Sequence, residues 1–220
     1  MIRKVKNEKY EKKEIRKKIL KIRDEISDEE RAKCNSKIEK CILTHSVYEE
    51  AQVILTYASY RSEVDTATLI GQALADGKYV FAPKVSGDEM EFWQITATED
   101  LREGYRGIPE PVERVSFPEW LAEQSNTGEI HVMMWMPGAV FDKERHRIGY
   151  GKGFYDRYLD RLTGLEKENC CRWHAELHLT TAALAYSCQV LEQIPYEPHD
   201  IKPDMLFTEE GVLHSVNIQE

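Results

Sequence analysis

The sequence predicts a single α/β domain whose central sheet is mostly parallel. An apolar run at residues 53–57 precedes a helical segment at residues 66–77, and a second apolar run follows at residues 79–82. A strand, a helix and a strand in this order are typical of a βαβ unit, in which a crossover helix joins two parallel strands. No linker, internal repeat or low-complexity segment divides the 220 residues, so we expect one domain over residues 1–220.

Two helices are predicted before the first strand. Isoleucines repeat at helical spacing over residues 10–26, which predicts an amphipathic helix. They are Ile15, Ile19, Ile22 and Ile26. Residues 1–9 precede this pattern, and we expect them to be flexible. Ser27 and Glu30 have the spacing of a capping box, so a second helix is predicted from there to about Tyr48.

The rest of the chain supplies further strands and one long loop. Pro83 is predicted to end the second strand. Apolar runs predict strands at residues 90–95, 130–135, 182–186 and 205–207. Residues 103–118 are rich in glycine and proline, which is typical of a loop.

Charge is distributed unevenly along the chain. The first 23 residues contain 11 basic and 3 acidic side chains, whereas the remainder contains 19 basic and 36 acidic ones. An acidic body argues against nucleic-acid binding by the fold, and the basic N-terminal helix is either a solvated face or a surface that meets an anion. No apolar run is long enough to cross a bilayer or to serve as a secretory signal. We expect a cytoplasmic monomer that binds neither nucleic acid nor membrane.

The cysteines do not indicate a disulfide framework. Their number is odd, at five, and their spacing is irregular, which fits a reducing compartment. One cluster resembles a set of metal ligands, namely Cys170, Cys171, His174 and His178. His174 and His178 would share one face of a helix. No second ligand pair appears at zinc-site spacing, so we interpret the cluster as part of a loop or short helix.

The most informative stretch is residues 147–158, which read Arg-Ile-Gly-Tyr-Gly-Lys-Gly-Phe-Tyr-Asp-Arg-Tyr. Its three glycines alternate, so a ligand can approach the backbone closely. A helix is predicted to begin at Phe154, and a helix N-terminus favours an anion. The spacing matches neither the G-x-x-x-x-G-K-[ST] loop nor the G-x-G-x-x-G fingerprint. The glycines alone therefore leave an ordinary flexible turn as the alternative to a phosphate site.

A longer pattern resembles a known family. Residues 136–143, Met-Pro-Gly-Ala-Val-Phe-Asp-Lys, together with residues 147–159, closely resemble the signature of the 5-formyltetrahydrofolate cyclo-ligase family. Shorter segments agree in the same order, and they lie at residues 12–16, 57–66, 107–111 and 194–200. The resemblance spans about residues 12–211. It implies a Rossmann-like three-layer α/β/α fold with a mostly parallel sheet and an N-terminal helix.

The resemblance also implies an activity. A family member would use ATP and Mg²⁺ to cyclise 5-formyltetrahydrofolate to 5,10-methenyltetrahydrofolate in one-carbon metabolism, releasing ADP and phosphate through an imidate phosphate intermediate. The substrate could carry a polyglutamate tail. Because ATP activates the formyl group, no protein nucleophile is required. Positioning and charge stabilisation are then the tasks of the protein.

The resemblance assigns site residues by position. A triphosphate needs several cations and backbone donors, and arginine offers bidentate geometry. The residues implied to bind ATP are Lys12, Arg16, Arg147, Ile148, Gly149, Tyr150, Gly151, Lys152, Gly153, Phe154 and Tyr155. Among them, Lys152 and Arg147 are expected to act on the transferring phosphoryl group. For Lys12 and Arg16, plain surface solubility is the alternative.

Metal and folate contacts are carried over in the same way. Asp156 and Asp200 match the Mg²⁺-associated aspartates, and hard carboxylate oxygens suit that ion; turn capping is the alternative for Asp200. The residues implied to contact the folate are Ala58, Glu63, Tyr150 and Phe154, and Tyr105 is expected to wall the same pocket. For the aromatic residues, core packing is the alternative.

Two features depart from the family pattern. Position 150 is tyrosine where many relatives carry a small or basic residue, and residues 163–179 form a segment longer than is typical, which we interpret as an insertion. Two other functions therefore stay open. One is a different ATP-dependent ligase on the same scaffold. The other is a non-enzymatic nucleotide-binding or RNA-contacting module that uses the basic N-terminal helix.

Overall fold

The computed structural model describes residues 2–104, 107–124, 128–168, 176–197 and 200–214, with side chains from residue 11 onward and up to residue 164 in the last helix. Within these ranges the chain forms six α-helices. They are α1 (Ile2–Asp24), α2 (Asp28–Leu43), α3 (Ser46–Glu50), α4 (Ala67–Ala75), α5 (Phe117–Glu123) and α6 (Phe154–Glu168). None of these helices combines the length and the apolar character that crossing a membrane would require.

The described strands form one large and two small sheets. In chain order they are β1 (Val53–Leu55), β2 (Tyr79–Ser86), β3 (Glu89–Ile95), β4 (Leu101–Glu103), β5 (Pro109–Pro111), β6 (Glu129–Met136), β7 (Val140–Asp142), β8 (Arg147–Ile148), β9 (Glu176–Leu184), β10 (Val190–Leu191), β11 (Met205–Thr208) and β12 (Gly211–His214). The large sheet has the order β12-β11-β9-β6-β1-β2-β3. Its five inner strands are parallel, and both edge strands are antiparallel to their neighbours. The small sheets are β10-β7-β8 and β4-β5.

Both faces of the large sheet are covered, because its central strand alternates between two cores. Met133 and Trp135 of β6 pack in the core that holds α2, α3 and α4. Val132 and Met134 pack on the opposite face, in the core that holds α5 and α6. A strand buried on both sides reads as a continuous apolar run, as residues 132–136 do. The prediction of a three-layer α/β/α fold with a mostly parallel sheet is therefore confirmed.

The predicted βαβ unit is present. β1 and β2 pair in parallel, with Val53 opposite Tyr79, and α4 connects them. Gly77 follows α4 with a φ of 75°, a conformation that glycine adopts without steric cost. The strands predicted near residues 90, 130 and 205 are confirmed as β3, β6 and β11.

Two predicted boundaries in the first half of the chain are wrong. The second helix ends at Leu43 rather than near Tyr48, because the side chain of His45 accepts from the Val47 amide and begins a separate helix, α3. β2 continues through Pro83 to Ser86. Its pairing with β1 ends at Phe81, so beyond that point β2 has a sheet partner on one side only, where proline is tolerated.

The region predicted as a loop, residues 103–118, contains the short strand β5 and the first residues of helix α5. Ser116 and Glu119 form a reciprocal capping box at the start of α5, a signal that the density of glycine and proline obscured. The strand predicted at residues 182–186 begins earlier, at Glu176, and ends at Leu184. His178 therefore lies in β9 and cannot share a helix face with His174. Cys170, Cys171 and His174 lie outside the described residues, as does Tyr105.

Helix α1 begins at Ile2, and its buried face differs from the predicted isoleucine face. Ile19 is buried, whereas Ile22 is 39 % exposed. The buried stripe includes Arg23, which is 5 % exposed, and Lys12 and Arg16 are half-buried on the same side. Helix α1 thus turns a partly cationic face toward the body of the protein.

Chain topology places a crevice between β1 and β6. From β1 the chain winds outward to β2 on one side, whereas β6, β9 and β11 follow on the other side. In open parallel sheets, ligands bind at such a switch point, beyond the carboxyl ends of the strands. The segment after β1 contains Ala58 and Glu63, and the segment after β6 contains the glycine loop.

Candidate active site

A cavity of about 660 Å³ lies at this end of the sheet. Its size is within the usual range for small-molecule sites. Lys12 and Arg16 of α1, every residue from 147 to 156, and Asp200 line it. The structure thus brings together all the residues predicted to bind ATP or Mg²⁺, although 188 positions separate Lys12 from Asp200. The roles assigned to these residues stay predictions.

The glycines shape the wall of this cavity. Gly151 has a φ of 91° and Gly153 a φ of 64°, both in the region that residues with a side chain rarely adopt. A Cβ atom on Gly151 would also lie 3.4 Å from a guanidinium nitrogen of Arg16. The positive φ therefore favours glycine at position 151, where a Cβ atom would only be in van der Waals contact with Arg16.

Arg16 joins helix α1 to the loop. Its Nε atom donates to the carbonyl oxygen of Gly149 at 2.7 Å. Burial lowers the pKa of the Arg16 guanidinium, because desolvation disfavours its charged form. An anion in the cavity would provide a counter-charge for the Arg16 guanidinium.

Helix α6 begins at Phe154, directly after the loop, as predicted. The first amides of a helix have no intrahelical acceptors, and the helix dipole is positive at this end. The side chain of Lys152 is exposed at the cavity wall. Backbone donors and a mobile cation therefore face the same space.

Arg147 is the most deeply buried cation of the loop. It is 8 % exposed, and its Nη2 atom donates to Oδ1 of Asp156 at 2.9 Å. Its guanidinium also lies 5.9 Å from the centre of the Tyr155 ring. The Nε atom is buried, and no hydrogen-bond acceptor for it occurs among the described residues. Arg147 thus has an unused donor beside the cavity.

The two aspartates each use one carboxylate oxygen in protein contacts. Oδ1 of Asp156 accepts from Arg147 and, at 3.2 Å, from the amide of Ile201. Oδ2 of Asp200 accepts from Lys12 at 2.6 Å and from the amide of Glu197 at 2.8 Å. The second oxygen of each carboxylate makes no hydrogen bond within the part of the chain that the structure describes. Both side chains line the cavity, so they offer the hard oxygen donors that Mg²⁺ prefers.

Not every predicted contact points into the cavity. The side chain of Ile148 is 2 % exposed and packs with Ile19, Val140 and Ile194, so only its backbone can meet a nucleotide. Phe154 and Tyr150 line the cavity, but Ala58 and Glu63 are not among its described lining residues.

Tyr150 connects the cavity to Glu63. Its ring is 43 % exposed, and its hydroxyl group accepts from Nη1 of Arg23 at 2.9 Å. The same hydroxyl group interacts with the Glu63 carboxylate. Glu63 also accepts from the amide of Tyr60 at 2.9 Å. Tyr150 therefore joins the cavity to a hydrogen-bonded cluster of side chains around Glu63, which we call the Glu63 cluster.

Burial controls the electrostatics of the Glu63 cluster. Desolvation raises the pKa of Glu63, opposed by its hydrogen bonds to Tyr150 and Tyr60 and by the charge of Arg23. Desolvation, and then the Glu63 charge, raise the pKa values of Tyr57 and Tyr155. These phenols stay protonated at neutral pH, so Arg23 is the cation that acts on the Glu63 carboxyl group, beside neutral phenol groups.

Sequence reasoning missed Arg23. Its Nε atom donates to Oγ of Ser62 at 3.0 Å, so it holds the segment after β1 as well as Tyr150. The sequence offers only a partial signal: Arg23 lies seven residues after Arg16, two helical turns along the same face, but this spacing does not distinguish a buried arginine from a solvated one. Three further polar residues line the cavity without having been predicted, namely Lys13, Arg157 and Glu197.

Comparison with known proteins identifies relatives over nearly the whole chain. Residues 8–209 match the model of the 5-formyltetrahydrofolate cyclo-ligase family. A mouse protein named 5-formyltetrahydrofolate cyclo-ligase is 29 % identical over 191 residues, which cover 84 % of this chain and 87 % of the mouse protein. A protein of Schizosaccharomyces pombe with the name probable 5-formyltetrahydrofolate cyclo-ligase is 31 % identical, over 71 % of this chain and 74 % of that protein.

Solved structures agree with the fold. The NMR structure of Aquifex aeolicus 5,10-methenyltetrahydrofolate synthetase superposes with a TM-score of 0.74 at 30 % identity, covering 95 % of each chain. A 5,10-methenyltetrahydrofolate synthetase from Mycoplasma pneumoniae superposes with a TM-score of 0.65 at 23 % identity, covering 90 % of this chain and 99 % of the other. At that identity the second comparison supports the fold alone.

Proposed function

The chain belongs to the 5-formyltetrahydrofolate cyclo-ligase family, and from that premise we propose that it converts 5-formyltetrahydrofolate and ATP to 5,10-methenyltetrahydrofolate, ADP and phosphate with the help of Mg²⁺. One observation carries the proposal for this chain. The glycine loop, two cations of α1 and two aspartates from distant segments converge on one cavity. Such a set of hydrogen-bond donors, cations and carboxylate oxygens suits a nucleoside triphosphate with its Mg²⁺ ion.

The reaction needs an activated oxygen. The formyl oxygen on N5 attacks the γ-phosphorus of ATP, and ADP leaves with the electrons of the broken bond. N10 then attacks the formyl carbon and loses its proton. Phosphate departs with the former formyl oxygen, and a five-membered ring with a positive amidinium group remains. All atoms are accounted for without a covalent bond to the protein.

Two ion pairs prepare the cavity for this charge. Arg147 is paired with Asp156, and Lys12 with Asp200. A triphosphate with its divalent cation presents a negative partner to each of these cations and a positive partner to each aspartate. When the triphosphate and its cation bind, each of these four side chains can exchange its present partner for another group of opposite charge. No charge is then left uncompensated in a partly buried site.

Negative charge on the transferring phosphoryl group requires fixed positive partners. Lys152 and Arg147 are best placed to supply them, because both lie on the loop at the start of α6. The guanidinium of Arg147 is held in advance by the carbonyl oxygen of Pro137 and by Asp156. Preorganised donors of this kind stabilise a transition state strongly.

Asp156 and Asp200 would hold Mg²⁺ through their carboxylate oxygens, and the ion would supply neutralising charge to the phosphate oxygens. Asp156→Asn should therefore raise the Mg²⁺ concentration needed for half-maximal activity by about tenfold, with little loss of fold. Titration of activity with MgCl₂ measures this shift. An unchanged Mg²⁺ requirement would remove Asp156 from the metal site.

Glu63 is suited to hold the pterin. A carboxylate can accept two hydrogen bonds from the amino group and the adjacent ring N–H of a pterin, and the surrounding phenol rings can stack on its faces. Tyr150, which belongs to the loop, contacts Glu63 and also lines the cavity. The formyl group would then lie between Glu63 and the phosphoryl donor.

The test is an absorbance assay at the methenyl-folate band, with purified protein, 5-formyltetrahydrofolate, ATP and Mg²⁺. Each component is omitted in turn, and the Glu63→Gln variant is the control that tests the proposed contact between Glu63 and the folate. Product that forms only with all components supports the proposal. Calorimetric ATP binding without product would instead favour another ATP-dependent ligase, and Tyr150 is the first place to look for its altered substrate choice.

A further inference from the structure

A cluster of metal-binding side chains lies at the opposite end of the large sheet. Glu129 and His131 are two apart on β6, so they project from the same face, and His178 stands directly opposite His131 on the parallel strand β9. By strand rise, Glu129 is about 23 Å from Met136, where the loop of the candidate active site begins. The cluster is therefore separate from that site.

This arrangement could not be recognised from the sequence alone. His178 belongs to a group of cysteines and histidines that resembles a metal motif, yet no second ligand pair occurs nearby in the sequence. The second pair comes from β6, 47 positions before His178. Only the parallel pairing of β6 with β9 brings the two histidines together.

The donor atoms are close to metal-binding separation. Oε2 of Glu129 lies 3.6 Å from Nε2 of His131 and 3.9 Å from Nε2 of His178, and all three atoms lie within 4.8 Å of one another. Two ligands of one tetrahedral Zn²⁺ ion are about 3.3 Å apart, given bond lengths of about 2.0–2.1 Å. Small side-chain rotations therefore suffice to close the site.

The histidine rings are arranged to share a ligand. They stack with centroids 4.9 Å apart and planes 20° apart. Nε2 of His178 is buried and has no hydrogen-bond partner within the described ranges. An uncharged imidazole nitrogen without a partner is costly to bury, and a metal ion would satisfy it.

We propose that Glu129, His131 and His178 bind a divalent transition-metal ion, with Zn²⁺ as the best match. Two imidazole nitrogens and one carboxylate oxygen are a known type of zinc ligand set, and imidazole disfavours Mg²⁺ and Ca²⁺. Oε1 of Glu176, at 3.9 Å from Nε2 of His178, offers a fourth ligand, with water as the alternative. The bound ion links β6 to β9 at their amino ends and so stabilises the centre of the sheet.

The experiment is calorimetric titration of the whole protein with ZnCl₂ in excess Mg²⁺, which occupies hard oxygen sites such as Asp156 and Asp200. We expect one Zn²⁺ per chain, and a rise in melting temperature with Zn²⁺. His131→Gln and His178→Gln should each weaken Zn²⁺ binding at least tenfold and remove the rise in melting temperature. His214→Gln, on the far edge strand β12, is the matched control and should bind Zn²⁺ like the parent.

Two results would overturn the proposal. One is a parent protein that binds no Zn²⁺ under these conditions. The other is a His131→Gln variant that binds Zn²⁺ as tightly as the parent, because the ligands would then lie elsewhere. Titration with Co²⁺ identifies that case, since cysteine ligands produce a thiolate charge-transfer band that the proposed nitrogen and oxygen ligands do not.

Should a variant fail to fold, chemical modification of the parent still decides the question. Zn²⁺ should protect His131 and His178 from carbethoxylation, as read by mass spectrometry, while His214 reacts at an unchanged rate. Equal modification of His131 with and without Zn²⁺ contradicts the proposal. None of these readouts depends on the cyclo-ligase activity, so the site and the proposed function can fail independently.

Discussion

The two halves of the candidate active site are built in opposite ways. The phosphate half, defined as residues 147–149 and 151–156 with Lys12, Arg16 and Asp200, comes mostly from one loop whose charges face an open cavity. The folate half, defined as Glu63 with Tyr57, Tyr150 and Arg23, is gathered from α1, the segment after β1 and the loop. Its Tyr57 and Arg23 are buried, whereas Glu63 is half-buried and Tyr150 is exposed. Charge stabilisation needs cations and backbone donors, which one loop can carry. Recognition of a planar heterocycle needs walls on several sides, which only separate segments can supply.

The largest effect is expected in the phosphate half. Arg147→Gln removes a buried guanidinium that contacts Asp156, and it should lower kcat by about 10³-fold. Steady-state kinetics with saturating ATP and folate measures this loss. Arg161→Gln is the matched control, because Arg161 lies on the same helix as Asp156 but pairs with Glu91, away from the cavity. A kcat within a factor of ten of the parent would place Arg147 outside the reaction.

A smaller effect, of different kind, is expected in the folate half. Glu63→Gln should lower kcat/KM for 5-formyltetrahydrofolate by about 100-fold, because one buried acceptor becomes a donor that faces pterin donors. The KM for ATP should stay near that of the parent. If both substrates lose affinity equally, the two halves are not separate in function.

The Glu63 carboxylate of the folate half also lowers the free energy of unfolding at neutral pH. Because burial raises its pKa, the folded protein holds the Glu63 proton more tightly than the unfolded chain does. The favourable contribution is fully present below the ordinary carboxyl pKa of about 4.3, and it is lost as pH rises through the raised value. At neutral pH, Glu63→Gln should therefore increase the free energy of unfolding while it damages activity. Denaturation with urea at pH 7 tests this, and a less stable variant would contradict it.

The same contrast explains how far the sequence could predict the molecule. The loop was predictable because its glycines, cations and helix start are neighbours in the chain, and each has a local physical meaning. Arg23 was not, since a buried arginine on an amphipathic helix is indistinguishable from a solvated one until its partners on Ser62 and Tyr150 are known. The pairing of His131 with His178 depends on sheet order in the same way.

For the fold, apolar runs predicted the buried strands correctly, whereas the ends of the helices and strands were not predicted reliably. β6 is apolar on both faces, so its pattern indicated a central strand directly. The first part of β9 was overlooked because polar residues alternate there with Leu177 and Leu179. Pro83 was taken as a strand end because sequence alone does not reveal that β1 has already ended beside it.

The smallest effect is expected at the contact of Tyr150 with Arg23, and it tests whether Tyr150 belongs to the folate half or to the phosphate half. Tyr150→Phe removes the hydroxyl group that links Arg23 to Glu63, and Arg23→Gln removes the donor to that hydroxyl group. Each change should raise the KM for 5-formyltetrahydrofolate by about fivefold, with little change in kcat, because the contact only positions Glu63 and the net contribution of one hydrogen bond is about 1 kcal/mol. Lys21→Gln, on the exposed face of the same helix, is the control.

The double variant decides whether these residues act together. If Arg23 works through Tyr150, the double variant should lose about fivefold rather than the roughly 25-fold of two independent changes, because residues in one hydrogen-bond network are not additive. A multiplicative loss would show that Arg23 acts through Ser62 instead. A rise in the KM for ATP in Tyr150→Phe alone would assign Tyr150 to the phosphate half, and Glu63 would then hold the folate without help from the loop.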